Sequence, residues 1–239
     1  MIKKTMCAIV AVAVLAACEV VPVQTEAQGG TTAVSQSYLA KLQQNQAVRR
    51  FVHVVEDVEP IAEQECRVRT RRINCNFWIV VDVRPDEPAN AYQTLDKWGR
   101  PVIVFTLQMI KTAKNADELA FILGHEAAHH ISGHIPRQKF NAMAGEVILA
   151  GIALLNGGDN AAVQTARRVG ADYGARAYSK RYELEADALG TVITAKAGYD
   201  PIRGAEFFNR IPDPGDVFLG THPPNAARIE IVQETAADF

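Results

Sequence analysis

The chain has 239 residues, 22% of them charged and 48% hydrophobic, and carries a formal net charge of -2. That length and composition fit a single folded domain with a sizeable core and exclude a largely disordered chain. The near-neutral balance, with no long basic block, argues against a protein that works by neutralising nucleic-acid phosphates.

Residues 1–17 read as an address. Lys3 and Lys4 form a short positive region, and residues 6–17 form an apolar one. The apolar stretch is too short for a bilayer core, which needs about 20 residues, and fits a secretory signal peptide. Leu15-Ala16-Ala17-Cys18 is similar to a bacterial lipobox, in which the cysteine becomes the lipid-modified first residue of the mature chain. Glu19 follows rather than Asp, which points to outer-membrane delivery. Residues 18–34 are small and polar and read as the lipidated cysteine plus a tether, leaving 35–239 for the folded domain. Loss of Lys3 and Lys4 with the leader takes the formal charge from -2 to -4. In an oxidising compartment, Cys66 and Cys75 are most simply one disulfide. The spacing of CRVRTRRINC suits a hairpin clipped near its base, and tight metal-binding spacing is absent.

A helix is expected from about Ser35, and residues 51–58 fit either its continuation or a strand. Residues 66–84 alternate and then turn strongly apolar, which predicts β structure. Pro85 and Pro88 break it, and residues 101–107 (PVIVFTL) predict a further strand, with Pro101 suited to a strand edge. From Asn115 the texture is helical: a helix over 117–131, and an apolar helix over 142–155 that is too short to cross a membrane and reads as a buried core helix. Residues 161–197 are mostly helical with expected breaks at Gly170 and Gly174. A short helix near 204–209 and a last one over 225–235 complete the chain.

Within the 117–131 helix lies Gly124-His125-Glu126-Ala127-Ala128-His129, an H-E-x-x-H pattern. Positions i and i+4 share a helix face, so His125 and His129 can converge on one ion, and Glu126 can serve as general base toward a water there. A hydrolytic zinc site needs a third protein ligand and an open position. The extended pattern that would supply a third histidine at 135 is absent, since Ile135 and Ser132 stand where His and Gly are required. Downstream, Glu183, Glu185 and Asp187 lie on a helical stretch. Glu183 and Asp187 share a face, so one can bind metal while the other orients a ligand imidazole. The residues alone leave Glu183 and Glu185 as rivals, and a solvated acidic face as the plain alternative.

These blocks, with Thr221-His222-Pro223-Pro224 and Arg228-Ile229 after them, resemble the M48 zinc metallopeptidases, gluzincins with a helix-rich domain. The resemblance implies an α+β fold: a mainly helical zincin-like domain with a small β-sheet near the active-site helix. It implies one Zn2+ per chain held by His125, His129 and Glu183, with Glu126 as catalytic base and Asp187 orienting a ligand histidine. His222 is implied as a latch or transition-state residue, with Arg228 near the site. His134 is typical of the family but reads as structural, His130 is less clear, and His53 has no identifiable partner. Gluzincins place an edge strand upstream of the active helix, which makes Val102, Ile103, Val104 and Phe105 the candidate substrate-pairing strand, an interior strand being the other reading. With the lipobox, the resemblance is to small periplasmic lipoprotein members. The expected activity is cleavage of misfolded or misassembled envelope polypeptides, with the membrane engaged through the N-terminal lipid and no nucleic-acid partner. The competing expectation is a chaperone-like or assembly-factor lipoprotein whose zinc site is latent or structural.

Overall fold

The computed structural model of the chain describes residues 45–239 apart from Pro85. The signal peptide, Cys18, the tether and the helix expected from Ser35 to residue 44 lie outside the described residues.

Helix α1 spans Gln46–Arg69. Asn45 caps it, its side chain accepting from the amides of Ala47 and Val48 at 3.0 and 3.3 Å. Phe51, Val54, Val58, Ala62 and Cys66 recur at intervals of three and four, giving one buried face against the core. That stripe decides residues 66–69, which the alternation CRVRT had suggested were strand. Ion pairs Arg67–Glu63 (3.0 Å) and Arg69–Glu65 (2.8 Å), each one turn apart, support the helix to its end. The disulfide Cys66–Cys75 is present, with Cα atoms 5.7 Å apart. It is not a clipped hairpin: it ties the last turn of α1 to the segment leading into the sheet.

The sheet has three strands, β1 (Trp78–Asp82), β2 (Ala91–Leu95) and β3 (Pro101–Thr106), in the order β1-β3-β2. β3 runs parallel to β1, with Trp78 opposite Val102, and antiparallel to β2, with Tyr92 opposite Val104. Every residue of β3 is buried. Val102, Ile103, Val104 and Phe105 therefore form the central strand, not a free edge. An unbroken apolar run is what a strand covered on both faces requires, and Pro101 is tolerated because it is the first residue of the strand. Among the described residues, the free edge on that side belongs to β2.

Thr106 caps the short helix α2 (Leu107–Thr112), and Asn115 caps α3 (Ala116–Ile131), accepting from the Glu118 amide at 2.8 Å. α3 is buried along almost its whole length. It crosses α6 (Ser179–Lys196) at bare backbone: a Cβ on Gly190 would lie 2.9 Å from the His125 nitrogen. At the start of α3, buried Glu118 receives two 2.6 Å hydrogen bonds from Arg210, and buried Asp117 is paired with Arg203. These pairs hold α7 (Pro201–Ala205) and the 3-10 turn Glu206–Asn209 against α3. α8 (Asn225–Ala236) closes the domain. Asn225, at its start, donates to the carbonyls of Phe208 and Ile211.

α4 (His134–Leu155) and α5 (Asn160–Arg176) form a hairpin. Two expectations change here. Gly170 and Gly174 do not break α5; they are where it meets α4, a Cβ on Gly170 falling 2.2 Å from the Gly145 carbonyl oxygen. Nor is α4 a core helix, for between residues 142 and 155 only Ala150 is buried. Among the described residues no helix is long and apolar enough to cross a membrane. The fold is an α+β domain, mainly helical, with its small sheet beside α3.

Candidate metal centre

α3 and α6 together build the site. His125 and His129 lie one turn apart on α3, and Glu183 faces them from the first turns of α6. The close backbone crossing at Gly124 and Gly190 brings the two helices near enough for this. The Nε2 atoms of the two histidines are 3.0 Å apart. Glu183 Oε1 lies 3.3 Å from His129 Nε2, and its Oε2 lies 3.7 Å from His125 Nε2. Among the described residues, His125, His129 and Glu183 form the group whose donor atoms converge within 4.8 Å and could hold a metal ion. Two imidazoles and one carboxylate, with space in front of them, suit zinc with an open coordination position. Burial alone would push the Glu183 carboxyl up, but hydrogen bonds to His129 and His222 and the nearby imidazoles hold it far below the usual carboxylate range.

The rest of the constellation holds these donors in place. Asp187, one turn beyond Glu183 and fully buried, sits 2.8 Å from His125 Nδ1. That contact leaves His125 Nε2 to face the other donors. Arg228, delivered by α8, donates to both Asp187 oxygens at 2.7 Å, from Nε and Nη2. The Asp187 carboxyl is pushed up by burial, and His125 and Arg228 pull it below its ordinary value. The Arg228 guanidinium also packs over Phe208 at 4.1 Å.

His129 is oriented by residues whose part in the site the sequence did not reveal. Its Nδ1 lies 2.9 Å from Nδ1 of His134. His134 Nε2 lies 3.2 Å from Glu185 Oε2, which also accepts from Arg137 at 2.7 Å. Burial, reinforced by neighbouring His129, depresses the His134 pKa to about 4, so its ring is neutral and can accept at Nδ1. Tyr182 stacks on it at 4.7 Å and accepts a hydrogen bond from Asn141. Glu185 thus belongs to this support and is not among the converging donors. The signal for Arg137 and Tyr182 was only their position: Arg137 is one helical turn beyond His134, and Tyr182 directly precedes Glu183.

His222 stands on the loop before α8, with Nδ1 3.1 Å from Glu183 Oε2. It touches the carboxylate and is not one of the three converging groups. His130 makes a 2.7 Å hydrogen bond to the Asn74 carbonyl and plays no part at the centre. His53 faces Glu56 on the exposed side of α1.

The site opens into a cleft of about 630 Å³. Glu126, His125, His129, Glu183, His222 and Arg228 all line it, and Ala91, Tyr92 and Gln93 of β2 form one wall. A second cavity of about 500 Å³ continues past Gln93 and His129 toward Trp98.

Comparison with known proteins matches the architecture to a family. Residues 50–236 match the description "Peptidase family M48". A protein of Vibrio cholerae serotype O1 named "Putative beta-barrel assembly-enhancing protease" is 32% identical over 150 residues, covering 53% of this chain and 29% of that protein. The chain therefore spans less than a third of the length of that relative. With a family match that runs from α1 to the end of α8 and encloses the whole constellation, the chain belongs to peptidase family M48.

Proposed function

We propose that the protein is a zinc-dependent endopeptidase of the bacterial envelope, anchored by lipid on Cys18 and acting on misfolded or misassembled polypeptides. One observation carries the catalytic part of this reading: Glu126 shares a cleft with His125, His129 and Glu183, whose donor atoms converge on one point. A structural metal site has no use for an acid so placed.

His125, His129 and Glu183 would hold the ion. When bound, zinc supplies a Lewis acid that polarises a carbonyl and makes hydroxide accessible near neutral pH. Glu126 takes a proton from the attacking water and returns it to the leaving amine. Asp187 and His134 keep the two imidazoles aimed, so little reorganisation accompanies the reaction. His222 and Arg228 lie where they can reach the charge that develops on the substrate oxygen. An extended peptide would pair with the free side of β2, whose Ala91, Tyr92 and Gln93 line the cleft. The envelope setting is supported by the lipobox-like Leu15-Ala16-Ala17-Cys18 and by the name of the Vibrio relative.

A second reading draws on the 3.1 Å contact between His222 and Glu183: the loop histidine latches the centre, and the resting protein binds polypeptides without cutting them. Casein degradation by the zinc-loaded chain, beside Glu126→Gln, separates the two. Cleavage by the parent and none by the variant supports the endopeptidase. Cleavage by neither, restored by His222→Ala, supports the latch, and equal cleavage by both overturns the mechanism.

A further inference from the structure

Among the described residues, the apolar part of helix α4, residues 142–155, has nothing large to pack against besides α5. A helix that is apolar all round is ordinarily buried all round. The first turns of α4 meet α6 through His134, Arg137 and Asn141, but beyond them α4 is covered, among the described residues, on one side only, by α5. The contact between the two is backbone on backbone. A Cβ on Gly145 would lie 2.1 Å from the Gly170 carbonyl oxygen, and one on Gly174 would lie 2.0 Å from that of Asn141. Gly170 and Gly174 are spaced as in G-x-x-x-G, the pattern by which helices in lipid associate through small residues. The large side chains are turned outward instead. Phe140, Met143, Val147, Ile148, Leu154 and Leu155 are 60–89% exposed. They follow one face of α4 for about 22 Å at 1.5 Å per residue, far more than the isolated apolar residues of an ordinary surface.

The charges on the hairpin point to what covers that face. From residue 140 to 158 the sole ionisable side chain is Glu146, and Arg167 neutralises it at 2.9 Å. Over residues 134–176 five cations face three anions, in a chain that is negative as a whole. Arg137, Arg167 and Arg176 are held by Glu185, Glu146 and Asp172, so exposed Lys139 and Arg168 carry the excess. Two such hairpins set face to face would bring like charges together. An anionic lipid surface meets both properties, the apolar stripe by immersion and the excess cations Lys139 and Arg168 by headgroup contact. No described helix can span a bilayer, so the geometry is that of a hairpin lying on it.

We propose that the α4–α5 hairpin docks on an anionic lipid surface, with the outer face of α4 immersed at the boundary between headgroups and acyl chains. This holds whether or not Cys18 is lipidated, because the hairpin makes its own contact. His134 begins α4 and touches His129, so the docking element is joined directly to the metal centre.

The test places a tryptophan at Leu155→Trp near the hairpin tip and, as a control, at Ile202→Trp, an exposed apolar position on α7. The full chain in mild detergent is diluted into vesicles of brominated phosphatidylglycerol or brominated phosphatidylcholine, and the signal of Trp78 and Trp98 is subtracted using the parent chain. The proposal expects quenching at 155 at least about threefold that at 202 in the anionic vesicles, falling in the zwitterionic ones. Val147→Glu with Leu154→Glu, both at exposed positions, should abolish the difference while the far-UV circular dichroism stays unchanged. Equal quenching at 155 and 202 on vesicle-bound protein overturns the proposal and leaves the N-terminal anchor untouched. Failure of the chain to bind vesicles also overturns it. So does a concentration-dependent blue shift at 155 without lipid, which would identify a second copy as the cover.

Discussion

Arg228 grips Asp187 with two 2.7 Å hydrogen bonds across 41 residues of sequence. Asp187 is fully buried and holds His125, and the His125 ring together with the guanidinium allows that carboxylate to stay ionised in the interior. Arg228→Met should leave a buried charge without its bidentate partner, His125 alone remaining beside it, and cost about 3 kcal/mol or more. Urea unfolding of the metal-free protein measures this loss. Competition with a chelator should show a zinc affinity about 10–100-fold weaker.

His134 supports His129, the other histidine of the candidate metal group. Removing its acceptor nitrogen frees the His129 ring to rotate, with no donor atom lost from the centre itself. His134→Phe keeps a ring against Tyr182 and should lower zinc affinity about tenfold or more, by analogy with other ligand-orienting partners. Glu185→Gln should have a smaller effect, because Arg137 and Arg181 share that carboxylate with His134. Chelator competition on the two variants checks the order. Equal loss in both would place the support at Glu185 instead.

Acid sensitivity should be traceable to Glu65. Its side chain is buried; burial pushes its pKa up, while Lys196 and Arg69 pull it down, and the net value lies below 4.5. A carboxyl lowered on folding stabilises fully above its unfolded value and loses that contribution as pH falls through the folded one. Lys196→Met removes the 2.6 Å contact joining α6 to α1. The stability gap between parent and variant should be widest above pH 4.5 and shrink as pH is lowered past it. Urea midpoints across that range read the slope directly.

Gly170→Val forces α4 and α5 apart, because even a Cβ there meets the Gly145 carbonyl oxygen at 2.2 Å. The expected cost is about 3 kcal/mol or more. Amide exchange should quicken across the hairpin while the α3–α6 core keeps its protection.

The Cys66–Cys75 bridge closes a loop of about ten residues, for which the chain-entropy relation gives about 2.5 kcal/mol. Replacing both cysteines by serine should lower the urea stability by that order.

The parts of the site legible in sequence were those set by helical spacing. His125 and His129 at i and i+4, and Glu183 and Asp187 at i and i+4, each define a face whatever the tertiary structure does. Choosing Glu183 over Glu185 took the family resemblance, since both acids project from the same helix. The strand order could not be read, because β3 in the centre and β3 at the edge both accommodate PVIVFT. Residues 66–69 mislead for a different reason: local alternation resembles strand, and the buried stripe of α1, extending about four turns upstream to Phe51, overrides it. Gly170 and Gly174 looked like helix breakers because nothing in their own segment shows that another helix crosses there. The exposure of α4 was hidden in the same way, since an apolar pattern does not say how many of its sides find partners.

That β2 has a single neighbour among the described residues bears on how such a cleft would choose its guests. Hydrogen bonds made along a strand's backbone carry no information about side chains. They demand a stretch of chain that is extended and has no pairing of its own. A polypeptide already woven into its native sheets or helices has none to offer. Sorting by conformation, without reference to any particular residue, would then follow from the vacant side of one short strand.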